Sequence, residues 1–143
     1  TPEGDSDMPV RLQCLGASFY HCFQQTYDLT DITAAIRLAE KAVMLTPEGD
    51  SDMPVRLQNL GASFFHRFQQ THDLTDIAAA IRHQEKAVMI TPNGHPMMYI
   101  CCSNLANCFS HRYKITGDDA DKSNAEKYEQ QAQSLDVNSN LPL

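Results

Sequence analysis

The most constraining feature of this sequence is that it contains itself. The run TPEGDSDMPVRLQ that opens at Thr1 returns at Thr46. From there residues 1–45 and 46–90 differ at eight positions: Cys14/Asn59, Tyr20/Phe65, Cys22/Arg67, Tyr27/His72, Thr33/Ala78, Leu38/His83, Ala39/Gln84 and Leu45/Ile90. A diverged third copy begins at Thr91-Pro92 and keeps the register, with Leu60 mapping to Leu105, Phe64 to Phe109, His66 to His111, Thr71 to Thr116 and Ala87 to Ala132. A 45-residue period, three times over without a gap, restricts the chain to architectures in which one supersecondary unit stacks on the next.

Each unit reads as two helices. In the first, Pro9 suits a first helical turn with Ser6 or Asp7 as cap, and Leu12, Leu15, Phe19 and Phe23 recur at spacings of three and four. Asp28 can cap a second helix, with Asp31 three residues on as a short capping box. Ile32, Ala35, Ile36, Ala42, Val43 and Leu45 supply that helix's apolar face. Thr46-Pro47-Glu48-Gly49 ends it, because Pro cannot continue a helix and Gly tolerates left-handed geometry. The pattern predicts helices over 8–26, 29–45, 53–71, 74–90, 97–116 and 119–135. The expected organisation is one all-α solenoid: repeat 1 over 1–45, repeat 2 over 46–90, repeat 3 over 91–136 and a tail over 137–143.

Composition narrows the function classes. No apolar run approaches the roughly 18 residues of a transmembrane helix, and the polar, acidic start is unlike a signal peptide. The first residue is Thr, which suggests a stretch of a longer protein. A net charge of -7 and a pI near 5.2 repel phosphate backbones and anionic lipid, so neither nucleic acid nor membrane is expected as a partner. Five cysteines, an odd number with no CxxC, point to reduced thiols in a cytoplasmic protein and not to a disulfide framework.

The residues of each unit resemble the tetratricopeptide repeat (TPR). Its pattern is a Leu-Gly pair in the first helix, an aromatic three residues on, an Ala early in the second helix, another Ala seven later and a Pro five after that. The first unit has Leu15-Gly16, Phe19, Ala35, Ala42 and Pro47, and the second Leu60-Gly61, Phe64, Ala80, Ala87 and Pro92. The third has Leu105-Ala106, Phe109, Ala125 and Ala132, with Val137 in place of Pro. The usual TPR period is about 34 residues. The excess here falls in inserts of three or four residues, about one helical turn each, so both helices lengthen with their apolar faces in register. The phrases LGASFFHRFQQT and DLTDIAAAI are similar to long TPR arrays of fungal proteins, themselves similar to kinesin-light-chain repeats. One departure is that Ala39, Gln84 and Glu129 stand where the second helix often has a large aromatic.

The resemblance implies a right-handed superhelix with a concave groove lined by the first helix of each repeat. Carried over, the groove would be Gln13, Ala17, Tyr20, His21 and Gln24, then Gln58, Ala62, Phe65, His66 and Gln69, then Ser103, Asn107, Ser110, His111 and Lys114. The family's carboxylate clamp needs Lys or Arg at positions that hold Gln13, Gln58 and Ser103 here, and Asn where Ala17 and Ala62 stand. A chaperone-tail ligand is therefore not expected.

Other chemistry finds little support. Rungs of a His21/His66/His111 ladder would lie about 10 Å apart, too far to share a zinc whose His bonds are about 2 Å. Cys102 falls on the apolar stripe, where a small buried hydrophobe is expected. There is no phosphate loop, HExxH or GxSxG, and the Asp28/Asp31 and Asp73/Asp76 pairs read as helix caps. The expectation is a non-enzymatic scaffold without cofactor or metal that binds a peptide or partner protein. The alternative is a regulatory array of a larger protein with a nucleotide-binding or caspase-like domain. A polar second helix marks repeat 3 as a C-terminal cap. Helix 8–26 carries an apolar face with no helix before it, which suggests a homodimer through repeat 1.

Overall fold

The computed structural model describes residues 7–139. Among these residues there are six helices and no strand: α1 (Met8–Thr26), α2 (Leu29–Leu45), α3 (Met53–Thr71), α4 (Leu74–Ile90), α5 (Met97–Thr116) and α6 (Asp119–Ser139). Helices pair as hairpins α1–α2, α3–α4 and α5–α6, and each hairpin docks on the next through α2–α3 and α4–α5. The result is an all-α solenoid. The first helices also touch one another, α3 with α5 and α1 with α3 through Tyr20 and His66. The second helices share no comparable contact, so the first helices lie on the inner side of the curve.

Local chemistry sets the boundaries. Asp28 and Asp73 cap α2 and α4 by accepting from the N–H groups of Thr30 and Thr75, each at 2.9 Å. Asp118 does the same for Ala120 at 3.0 Å. The expected capping box does not close through Asp31, because the N–H of Asp28 donates to Thr26 Oγ1 at 3.2 Å. Asp7 stands at the N-cap of α1 without a side-chain capping bond, and the alternative cap, Ser6, lies outside the described residues. The first helices end on a left-handed residue. Gly117 (φ 71°) adopts it freely, whereas Tyr27 (φ 56°) and His72 (φ 58°) hold the same position with a side chain. Helix α6 runs past the expected end at 135 to Ser139, because Val137 stands where Pro47 and Pro92 stop the chain after α2 and α4. Residues 140–143 of the expected tail lie outside the described residues.

The core is a continuous seam between hairpins. Ile32, Ile36, Leu60, Phe68, Ile77, Ile81, Leu105 and Phe109 form one cluster, in which Ile32, Ile77 and Leu105 are fully buried. Arg67 clasps Asp76 with two bonds (2.8 and 3.0 Å) and reaches Thr33 of the preceding hairpin at 3.4 Å. Arg112 clasps Asp121 in the same way at 2.8 and 2.9 Å. The sequence reads Asp73 and Asp76 together as helix caps; only Asp73 caps through its side chain, and Asp76 is buried, because the Arg of the neighbouring helix supplies its counter-charge. Repeat 1 has Cys22 where the others have Arg67 and Arg112.

His83 stacks on Phe64 at 5.6 Å and 17°. Burial, then the charges of Arg82 and Lys86, bring its imidazole down to about 4 from an ordinary 6.5. Above pH 6.5 the ring is neutral in both folded and unfolded chains. Below it the unfolded chain takes a proton that the folded chain refuses until about pH 4. Stability therefore falls as pH drops through that window. Burial lowers His66 too, with the same sign. Thermal melts should show this decline, and His83→Leu, which installs the residue of repeat 1 (Leu38), should shrink it. A profile unchanged by that substitution would contradict the assignment.

Helix α6 packs along α5 but buries few of its own side chains among the described residues. Tyr128 stacks on Phe109 (6.0 Å, 4°), Ala132 is buried, and Asp121 anchors the first turn. Lys122, Glu126 and Gln133 are exposed where Ile77, Ile81 and Val88 sit in α4. Amide exchange should therefore be faster over 129–136 than over 74–90. Equal protection would contradict the cap assignment.

Candidate binding groove

The inner side carries two concavities. The first, about 380 Å³, lies between α1, α2 and α3. Its floor is small, formed by Gly16, Ala35, Ala39 and Ala42, and its walls are polar: Gln13, Tyr20, Arg56, Gln58, Asn59, Ser63, His66 and, from α5, Asn104. The second, about 780 Å³ and more open, lies between α5 and α6. Its Ser103, Ala106, Asn107, Ser110, Ala125, Glu129 and Ala132 occupy the repeat-3 positions of Gln13, Gly16, Ala17, Tyr20, Ala35, Ala39 and Ala42. The two are images of one seam, covered by α3 in repeat 1 and uncovered in repeat 3.

A hydrogen-bonded line crosses the first concavity. Tyr20 Oη and His66 Nε2 are 2.8 Å apart, His66 Nδ1 meets Gln69 Oε1 at 3.1 Å, and Gln24 Nε2 donates to Tyr20 Oη at 3.3 Å. Burial lowers the His66 imidazole and raises the Tyr20 phenol. At neutral pH the ring thus accepts from Tyr20 and donates to Gln69 without a charge. Arg56 is buried and donates to Gln13 Oε1 (3.2 Å) and Thr46 Oγ1 (2.7 Å). Its guanidinium lies 3.6 Å from Asp52.

No protein-family model matches the chain, and no curated protein matches it as a relative.

The expected groove residues divide. Gln13, Ala17, Tyr20, Gln58, Ala62 and His66 line the first concavity, and Ser103, Asn107, Ser110 and Lys114 the second. Gln24 and Gln69 are exposed at the rim and brace Tyr20 and His66. His21 is exposed and lines neither. Phe65 lines neither concavity: it is buried, packed edge-to-face on His111 at 4.9 Å. His111 in turn donates through Nδ1 to the Asn107 carbonyl at 2.8 Å and lines neither concavity. Tyr20 packs on His66 of α3 at 5.1 Å as Phe65 packs on His111 of α5, but the Tyr20 ring stays half-buried with its hydroxyl bonded to His66.

Arg56, Asn59 and Ser63 escaped the sequence reading, which noted Ala39 only as a small residue in place of an aromatic. Two of the eight differences between repeats 1 and 2, at 14/59 and 39/84, were the available signal. Among the described residues no three His, Cys, Asp or Glu side chains are grouped as a metal ion would require. Cys101, Cys102 and Cys108 are buried, and burial pushes the Cys108 thiol up to about 12. None of the helices is long and apolar enough to cross a membrane.

Proposed function

We propose that this chain is a tetratricopeptide-type module that binds an extended segment of a partner protein along its inner side, in the cytoplasm and without a reaction of its own. The observation that carries this reading is the first concavity. Half-buried polar side chains with amide, hydroxyl and imidazole groups surround a floor of small residues, and few fixed polar groups around an apolar base is how a binding site sets orientation and specificity. The second concavity extends the same surface across Asn107 and Lys114.

Panning a random 12-residue peptide library against the chain tests it. Selected peptides should lose at least tenfold in affinity on Ala17→Glu or Asn107→Glu, both at exposed inner positions. They should be indifferent to Met44→Glu and Met89→Glu, which are 74% and 77% exposed on the second helices. Failure to select peptides, or loss confined to the methionine variants, would overturn the reading.

A second contact is favoured by Leu15. It is 49% exposed, whereas Leu60 and Leu105 at the same position are 1% and 0% exposed, because α2 and α4 cover those two. We propose that two copies pair through this face of α1, since the polar α6 offers no complement for head-to-tail stacking. Light scattering at tens of micromolar should then give twice the chain mass of 16.0 kDa, reverting to one chain mass in Leu15→Glu. A monomer throughout would contradict the pairing.

A further inference from the structure

We infer that the first concavity is a receptor for a primary carboxamide, the side chain of a glutamine carried by the bound segment. The inference rests on the inner-side reading above and specifies its ligand.

Repeat 2 supplies the template. There Gln84 is fully buried and donates Nε2 to the Gln58 carbonyl at 3.1 Å. It lies in the gap left by Gly61, where an added Cβ would fall 2.8 Å from Nε2 and 2.9 Å from Cγ. Repeat 1 builds the same receptacle from the same residues: Gln13 for Gln58, Gly16 for Gly61, Ala17 for Ala62, Ala35 for Ala80 and Ala42 for Ala87. Position 39 differs. With Ala39 in place of Gln84, the Gly16 gap meets only ordinary neighbours, Ala35 O at 3.5 Å and Leu38 Cβ at 3.6 Å, and the space opens into the concavity. The chain thus displays, one repeat along, the chemical group that its own cavity fits.

The wall chemistry agrees. A carboxamide brings two donors and one acceptor. In repeat 2 the Oε1 of Gln84 receives no hydrogen bond from the protein, whereas the concavity of repeat 1 holds the side-chain amides of Asn59 and Asn104, both able to donate; the Ser63 hydroxyl there is already given to the Asn59 carbonyl at 3.0 Å. A carboxylate fits less well. Arg56 is the one charged side chain in the lining, and it is already engaged by Gln13, Thr46 and Asp52. A buried anion would lack a free counter-charge.

The test compares wild type with Ala39→Gln, whose new side chain is one that repeat 2 accommodates at the same position; circular dichroism checks its fold. Library-selected peptides should share a Gln, and replacing it by Glu or Leu should weaken binding at least tenfold on wild type. Ala39→Gln should weaken the parent peptide by a similar factor. On wild type, N-acetylglutaminamide at millimolar concentration should displace the peptide and N-acetylleucinamide should not, a readout that survives if Ala39→Gln fails to fold. Peptides that bind the inner side without a Gln, prefer Glu, or ignore both Ala39→Gln and the amide would overturn this inference and leave the inner-side reading standing. Failure to select any peptide would overturn both.

Discussion

Gly61→Leu should destabilise the chain by roughly 2–4 kcal/mol, at the upper end of the cost of overpacking. A Cβ there already falls within 3.0 Å of three atoms of Gln84, and Gln84 is fully buried and tied to the Gln58 carbonyl. The equivalent glycine of repeat 1 is the control. A Cβ on Gly16 approaches nothing closer than 3.5 Å, so Gly16→Ala should be neutral or stabilising by up to about 1 kcal/mol, the helical advantage of Ala over Gly. Gly61→Ala should be destabilising alone and largely relieved in combination with Gln84→Ala, a coupling that a double-mutant cycle reads directly. Additive effects would mean that Gln84 is not what Gly61 accommodates.

Asp76→Ala should cost about 2–3 kcal/mol. That lies between the ~0–1 kcal/mol of an exposed ion pair and the 3–5 kcal/mol of a buried one that loses a partner, because the Asp76 side chain is 6% exposed and that of Arg67 25%. Removal leaves the guanidinium of Arg67 with the single 3.4 Å bond to Thr33. Asp31→Ala removes the same position from repeat 1, where Cys22 stands in place of Arg and the carboxylate contacts Thr26 at 3.5 Å. Its cost should stay below about 1 kcal/mol. Chemical denaturation of the two variants side by side checks the contrast, and equal losses would contradict the role given to the clasp.

The helices were legible in the sequence because their signals are local. Pro9, Pro54, Asp28, Asp73 and the three-and-four spacing of Leu and Phe act within a turn or two. The one boundary that moved, at the end of α6, moved because Val137 does not stop a helix as Pro47 and Pro92 do. The inner surface was legible only in part. Position 13 and its images face the groove in every repeat, yet of Tyr20 and Phe65, which share a position and both pack on the histidine of the next first helix, Tyr20 stays half-buried along the first concavity and Phe65 is buried. Arg56 is the plainest case. Its counterpart Arg11 is exposed, while Arg56 is sealed under the preceding hairpin and bonded to Thr46 and Gln13. Nothing in a single repeat tells the two apart. The plugging of the seam by Gln84 and its opening at Ala39 follow from one substitution, whose meaning depends on the glycine across the hairpin.

The most direct measurement of the central claim, that the inner side is the binding surface, is chemical-shift mapping with a library-selected peptide on isotope-labelled chain. The account predicts perturbed amides around Gln13–Gln24, Gln58–Gln69 and Ser103–Lys114, largest beside Ala39 and Asn59. Perturbations centred on the outer helices around Met44 and Met89, with the inner residues unmoved, would contradict it.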